Sequence, residues 1–200
     1  ILTGPTAVGK TKLSISLAKA VNGAIISADS MQVYRHMDIG SAKIRPEEMC
    51  GVPHYLIDVL DPSEEFHVVK FVELAHEAME KIYAAGQIPI VTGGTGFYIQ
   101  ALLKEVDFTE SHGELPIRKQ LEEKAATEEG AAELYRELSE VDPASAETIH
   151  PNNVKRVIRA LEYYHETGQK ISEHNEEQKQ KESPYCSAYF VPVSYTHLRA

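Results

Sequence analysis

Residues Gly4-Pro5-Thr6-Ala7-Val8-Gly9-Lys10-Thr11 satisfy G-x-x-x-x-G-K-[ST] at every fixed position. Glycines at that spacing let backbone N–H groups curl around a phosphate at a helix N-terminus. The lysine adds charge, and the threonine hydroxyl offers a ligand to Mg2+. At average composition the pattern arises by chance in fewer than about one chain in a hundred. It also follows the apolar Ile1-Leu2 and precedes a helical pattern, the context its mechanism needs. A di- or triphosphate is the expected ligand, and ATP is one that such a loop would take.

The loop leaves open which phosphate chemistry follows. ATPases and GTPases commonly place a carboxylate at the end of a later apolar strand, where it organises the metal. Here Ile88-Pro89-Ile90-Val91 runs into Thr92-Gly93-Gly94-Thr95 without one. The acidic residue stands earlier, after Ala24-Ile25-Ile26-Ser27-Ala28, as Asp29. At the carboxyl end of the strand following the phosphate-loop helix, it is expected beside the phosphate. Its plainer reading is an N-cap for the next turn.

The elements that must hold these residues alternate. Apolar positions Leu13, Ile15, Leu17, Ala18 and Val21 give residues 10–21 a helical period, closed by Asn22-Gly23. Strands are expected at residues 24–28, 55–60 and 88–91, with an amphipathic helix over 66–85 ending at Gly86 and another after Gly96 running to Leu103. This order predicts an α/β fold: a P-loop NTPase-like parallel sheet covered by helices on both faces. Ligands then sit beyond the carboxyl ends of the strands. From Lys104 the character turns helical. We expect a core over residues 1–103 with a truncated first strand, a helical insertion over 104–149, a return helix and strand over 150–193, and a non-native tail over 194–200.

Bulk properties bound the function. Of the 200 residues 42% are hydrophobic and 25% charged, as in an ordinary globular domain. No apolar run approaches the roughly 18 residues of a membrane span, and no secretory leader is visible. Two distant cysteines, Cys50 and Cys186, show neither metal-ligand spacing nor a disulfide pattern, so a reduced, cytoplasmic setting is expected. A net charge of −10 speaks against an indiscriminate nucleic-acid binder, though not against a local basic surface.

Longer blocks narrow the choice. Asp29-Ser30-Met31-Gln32-Val33-Tyr34-Arg35 and Met37-Asp38-Ile39-Gly40-Ser41-Ala42-Lys43 are followed by Pro53-His54-Tyr55-Leu56-Ile57-Asp58 and Asp61-Pro62-Ser63-Glu64-Glu65-Phe66. The stretch from Val91 to Leu103, Val141-Asp142-Pro143, and His150-Pro151-Asn152-Asn153 continuing to Glu162 complete the set. In this order the blocks closely resemble the tRNA dimethylallyltransferase family. Such enzymes move a dimethylallyl group from its diphosphate to the exocyclic amine of an adenosine beside the anticodon.

The resemblance implies roles. Asp29 looks like the general base, Thr95 like the hydroxyl near the reacting carbon, and Arg159 like the arginine that reaches the pyrophosphate. The phosphate loop becomes the diphosphate cradle, with Mg2+ on Thr11. The implied tRNA contacts are Asp29, Ser30, Met31, Gln32, Thr95, Arg118, Lys155, Arg156, Val157, Ile158 and Arg159, with Gln32 reading the edge of a flipped base. Implied partners are the tRNA anticodon stem-loop and dimethylallyl diphosphate, bound by a monomer. Tyr55 stands where the family usually has a second histidine, and family members continue beyond this length.

Plainer readings apply elsewhere. His54 beside Asp58 reads as structural, and His36, His67, His76, His112 and His174 form no ligand spacing. Tyr98, Tyr163 and Tyr164 read as packing, and Glu122-Glu123 and Glu128-Glu129 as a solvated face. Three alternatives share the loop: a small-molecule kinase using Asp29 as base, an adenylate isopentenyltransferase acting on a free nucleotide, and a non-catalytic phosphate-binding fragment. The blocks downstream of the loop favour the tRNA enzyme over the kinase.

Overall fold

A computed structural model describes residues 1–105 and 116–193. The chain divides into two compact units, Ile1–Val106 with Ser183–Ala200, and Asp107–Glu182. The expected tail at 194–200 lies outside the described residues.

The first unit is the α/β core. Its elements are β1 (Leu2–Thr3), α1 (Lys10–Val21), β2 (Gly23–Ser27), β3 (His54–Tyr55), α2 (Val68–Ala84), β4 (Ile88–Gly93) and α3 (Gly96–Lys104). The sheet order is β1-β4-β2-β3, and every pairing is parallel. β2 is buried throughout, as a central parallel strand must be. Successive side chains of a strand face opposite sides, and the two faces are filled differently. Ala24, Ile26 and Ala28 share a cluster with Phe71, Ala75, Met79, Ile82, Ile99 and Leu102 of α2 and α3. Ile25 and Ile90 share another with Ala18 of α1 and Val52. Helix α2 ends as its composition dictates: Gly86 takes φ 67°, and the Gln87 N–H returns to the Ile82 carbonyl at 3.0 Å.

One difference from the expected strands has a clear cause. The strand expected over residues 55–60 stops at Tyr55, because Leu56 and Asp58 adopt left-handed backbone at φ 62° and 54°. Residues 58–60 instead bond to the preceding loop: Asp58 N to Gln32 O at 3.2 Å, and Val59 N to Val33 O at 2.9 Å. Beyond residue 183, extended chain returns to β1, with Thr3 N donating to Phe190 O at 3.1 Å and Phe190 N to Ile1 O at 2.8 Å.

The second unit is helical among its described residues: α4 (Pro116–Lys124), α5 (Glu128–Val141), α6 (Pro143–Thr148), α7 (Val154–Thr167) and α8 (Ile171–Gln180). It therefore continues past the expected boundary at residue 149, and α7 is not a return helix of the sheet. The apolar face of α7, Val157, Ile158, Ala160 and Leu161, joins Leu121, Leu134 and Leu138 in one core. An amphipathic stripe announces that a helix will be buried, but not against which partner.

Asp142 ties this unit together. Its Oδ1 accepts from Ser145 N at 3.1 Å and Ser172 Oγ at 2.6 Å; Oδ2 accepts from Ser145 Oγ at 2.7 Å and Ser172 N at 3.0 Å. One buried carboxylate thus caps the first turns of both α6 and α8. Burial alone would raise this carboxyl, but the Ser172 and Ser145 hydrogen bonds outweigh it and hold the group below its ordinary range. Pro143 follows as the first residue of α6, where its missing N–H costs nothing. Among the described residues, no helix is long and apolar enough to cross a membrane.

Candidate active site

Strand register gathers three loops at one edge of the sheet. Thr3 pairs with Gly93, and Ser27 with Thr92. The phosphate loop leaves directly after Thr3, Asp29 follows Ser27 by two residues, and Thr95 follows Gly93 by two. The contact between the last two loops is close. Ala28 N donates to Thr92 O at 2.8 Å, and a Cβ on Gly93 would stand 2.2 Å from the Ala28 carbonyl oxygen. Only glycine lets these backbones approach so nearly.

The phosphate loop opens α1. Gly9 caps the helix in left-handed backbone at φ 83°, and Leu13 N donates to Gly9 O at 3.1 Å. Ala7 holds φ 64°, a conformation that side chains disfavour and that recurs where loops clasp ligands. Lys10 Nζ donates to Gly4 O at 2.8 Å and Pro5 O at 2.6 Å, so the ammonium rests against its own loop. Burial lowers the Lys10 ammonium from its ordinary value, while the nearby Asp29 charge opposes that shift. Carboxylate and cradle therefore belong to one electrostatic site. Thr11 is exposed one residue into the helix, next to the loop.

Asp29 is half-buried, and its Oδ1 accepts from Met31 N at 2.9 Å and Gln32 N at 3.4 Å. The plainer reading from sequence, a cap on the following turn, is thus one of its functions. It leaves Oδ2 outside those two bonds. Ser30 is half-buried, and the Met31 side chain is exposed. The Gln32 amide is already engaged: Oε1 accepts from Ser27 Oγ at 3.3 Å, and Nε2 donates to Ser41 O at 3.4 Å and Ala42 O at 3.3 Å. Thr95 is half-buried at the N-cap of α3, and its hydroxyl makes no capping bond.

The remaining expected residues lie in the helical unit. Lys155, Arg156 and Arg159 are exposed on α7. Val157 and Ile158, expected in the RNA-facing set, are only 1% and 5% exposed, with their side chains in the helical core. That expectation is corrected: these two side chains pack. Arg118 pairs with Glu122 at 3.2 Å and with Glu162 at 3.4 Å. Glu162 is 1% exposed, and its Oε1 has no hydrogen-bond partner among the described residues. Burial raises its carboxyl, with Arg118 opposing. The Glu162–Arg118 pairing escaped sequence reasoning, since a glutamate on an amphipathic helix carries no mark of burial.

His54 and Tyr98 have the structural surroundings expected of them, while His112 lies outside the described residues. His54 is half-buried with Nδ1 2.8 Å from Val52 O, and burial lowers its imidazole. His67 caps α2. Tyr98 stacks on Phe71 with ring centroids 4.9 Å apart. Among the described residues no group of three His, Cys, Asp or Glu side chains gathers around a common metal position. The hydroxyl and carboxylate present suit an ion that keeps most of its oxygen ligands from water and phosphate, as Mg2+ does.

Comparison with known proteins adds the family. The sequence profile of the IPP transferases matches residues 32–199. A tRNA dimethylallyltransferase from Lachnoclostridium phytofermentans is 66% identical over 191 residues, covering 96% of this chain and 61% of the relative. One from Bacillus cereus is 54% identical, covering 90% and 56%. A solved eukaryotic dimethylallyltransferase acting on tRNA superposes with a TM-score of 0.83 at 38% identity, covering 97% of this chain and 48% of that one. The tRNA isopentenylpyrophosphate transferase of Bacillus halodurans gives 0.55 at 49% identity, covering 84% and 55%. The chain thus spans about six-tenths of the length of the curated relatives it matches.

Proposed function

Because the chain belongs to the IPP transferase family, we propose that it carries the catalytic core of a tRNA dimethylallyltransferase. The observation that supports this most directly is the meeting of three loops at one sheet edge, with the Asp29 charge felt at Lys10. A diphosphate cradle beside a carboxylate base is what prenyl transfer to an amine requires.

In the proposed reaction the exocyclic amine nitrogen of a flipped adenine bonds to the allylic carbon of dimethylallyl diphosphate. The carbon–oxygen bond breaks, and its electron pair leaves with the diphosphate. Asp29 takes the amine proton. Lys10 and the N–H groups of residues 4–11 neutralise the departing charge, so Lys10 must exchange two carbonyl acceptors for phosphate oxygens. Mg2+ at Thr11 would add further charge neutralisation. Thr95 orients the diphosphate near the reacting carbon. Arg159 is assigned to diphosphate charge, and Lys155 and Arg156 to the RNA backbone. Asp29, Ser30, Met31, Gln32, Thr95 and Arg118 remain in the proposed RNA-contacting set, Gln32 by exchanging its loop carbonyls for a base edge. ATP is a further ligand that the cradle would take, and the transfer step itself does not consume it.

The test is transfer of radiolabelled dimethylallyl group to an anticodon stem-loop with consecutive adenosines. The chain should be extended with the C-terminal residues of the 66% identical relative. Label in the RNA without ATP, formed about 100-fold or more slowly by Asp29→Ala, is the expected result. Absence of transfer together with ATP-dependent phosphorylation of a small metabolite would replace this reading with a kinase.

A further inference from the structure

Lys43 belongs to none of the roles assigned so far, yet its side chain is only 5% exposed. A lysine is rarely so buried unless its charge is met. Here it is met three times. Nζ donates to Asp38 Oδ1 at 2.8 Å, Asp58 Oδ1 at 2.6 Å and the Tyr34 carbonyl at 2.7 Å. These partners lie on both segments that converge there, the loop after β2 and the turn after β3.

The same two segments meet at Gln32. Asp58 N donates to Gln32 O at 3.2 Å, while the Gln32 amide holds the carbonyls of Ser41 and Ala42, the residues just before Lys43. Arg35 adds a second clasp, with Nε donating to Asp58 O at 3.0 Å and Nη2 to Val59 O at 3.3 Å. Gln32 N and Met31 N in turn fix Asp29 Oδ1. A continuous chain of bonds therefore runs from Lys43 through the loop backbone and Gln32 to the Asp29 carboxylate. The loop contains no helix or strand longer than an isolated bridge between Tyr34 and Leu60, so these polar contacts supply much of its order.

We infer that Lys43 is a positioning residue for Asp29. It neutralises Asp38 and Asp58 so that the two segments can close, and the closed loop holds the carboxylate at the phosphate edge. Burial disfavours the charged lysine, but its hydrogen bonds to Asp38 and Asp58 overcome that and raise it above its ordinary value. The lysine therefore keeps its charge through neutral pH. This inference rests on the proposed function for its catalytic consequence, but its structural content stands apart from it.

Two measurements on the C-terminally extended protein test it. The first is amide hydrogen exchange at Met31, Gln32 and Asp58 in the wild type, Lys43→Met and Lys43→Arg. Exchange at these amides should rise at least tenfold in Lys43→Met while the amides of β2 stay protected, and Lys43→Arg should recover part of the protection. The second is steady-state transfer. In Lys43→Met kcat should fall at least tenfold with the KM for dimethylallyl diphosphate within about twofold, and adding Lys43→Met to Asp29→Ala should lower the residual rate no further.

Unchanged exchange at Met31 and Gln32 would overturn the inference, as would raised exchange with an unaltered kcat, or an additive double variant. If the wild type transfers no prenyl group, the functional reading fails. The clasp is then judged on exchange alone.

Discussion

On the proposed mechanism Asp29 carries two tasks that pull on the same carboxylate. Oδ1 closes the turn onto Met31 and Gln32, and Oδ2 is the oxygen assigned to the amine proton. Replacing Asp29 with Asn keeps a carbonyl acceptor for the turn while removing the base. Asp29→Asn should therefore cost less than about 1 kcal/mol of stability, as conservative cap changes do. It should still lower kcat by about 100-fold or more, the usual scale of a lost general base. A thermal melt alongside the prenyl-transfer assay checks both. Lys10 poses a related question, since its ammonium bonds two loop carbonyls before any phosphate is considered. On the proposed mechanism a phosphate displaces them because a charged acceptor binds the same donor more strongly than neutral carbonyls do.

At the scale of elements, two close fits make predictions. Gly93 ends β4 beside Ala28, the residue that follows β2, and a Cβ there would press on backbone. Gly93→Ala should destabilise the core by about 1–3 kcal/mol, as overpacking does, and displace Asp29 and Thr95 together. A denaturant titration and kcat measured on the same preparation would show both losses, and a fully active, fully stable variant would contradict the packing argument. Asp142 makes the second prediction. Its folded-state carboxyl lies below the ordinary value, so its contribution to stability is complete above the unfolded pKa of about 3.9. That contribution is lost as pH falls through the folded value. Asp142→Asn should remove this acid-side dependence and, with two helix caps weakened, cost about 2 kcal/mol at neutral pH. Urea melts of the variant and wild type between pH 3 and 7 measure the difference.

For the molecule as a whole, charge is the constraint. A chain of net charge −10 repels a polyanion except where cations are displayed locally. Lys155 and Arg156 are exposed on α7, and each phosphate neutralised on a single strand contributes about −0.7 to the slope of log K against log salt. Lys155→Gln with Arg156→Gln should therefore flatten the slope for an anticodon stem-loop by about 1.4. Binding titrations between low and physiological salt test this, and an unchanged slope would remove α7 from the RNA surface. The helical unit keeps its own hydrophobic core, and the cation-bearing helix is held by that packing.

How much of this was legible beforehand follows from the range of the forces involved. The phosphate loop, the sheet-forming strands and α1 were readable because glycine spacing, apolar runs and helical period act over a few residues. Asp29 and Thr95 were readable as loop residues after strands, and the parallel register then had to bring them together. The short strand at residues 54–55 was not readable. Val59 and Leu60 look strand-like in composition, and only pairing with Val33 decides that they turn away. Nor could the sequence say that Val157 and Ile158 face a core, that Glu162 is buried beside Arg118, or that Asp142 serves two helices at once. Lys43 stood in plain view within a recognised block without a role, because a lysine shows its partners only when distant chain segments close around it. Local chemistry and periodicity were written in the sequence. Which side chains share a buried charge or a cap was decided by tertiary contact, since desolvation and hydrogen-bond geometry exist only once the chain has folded.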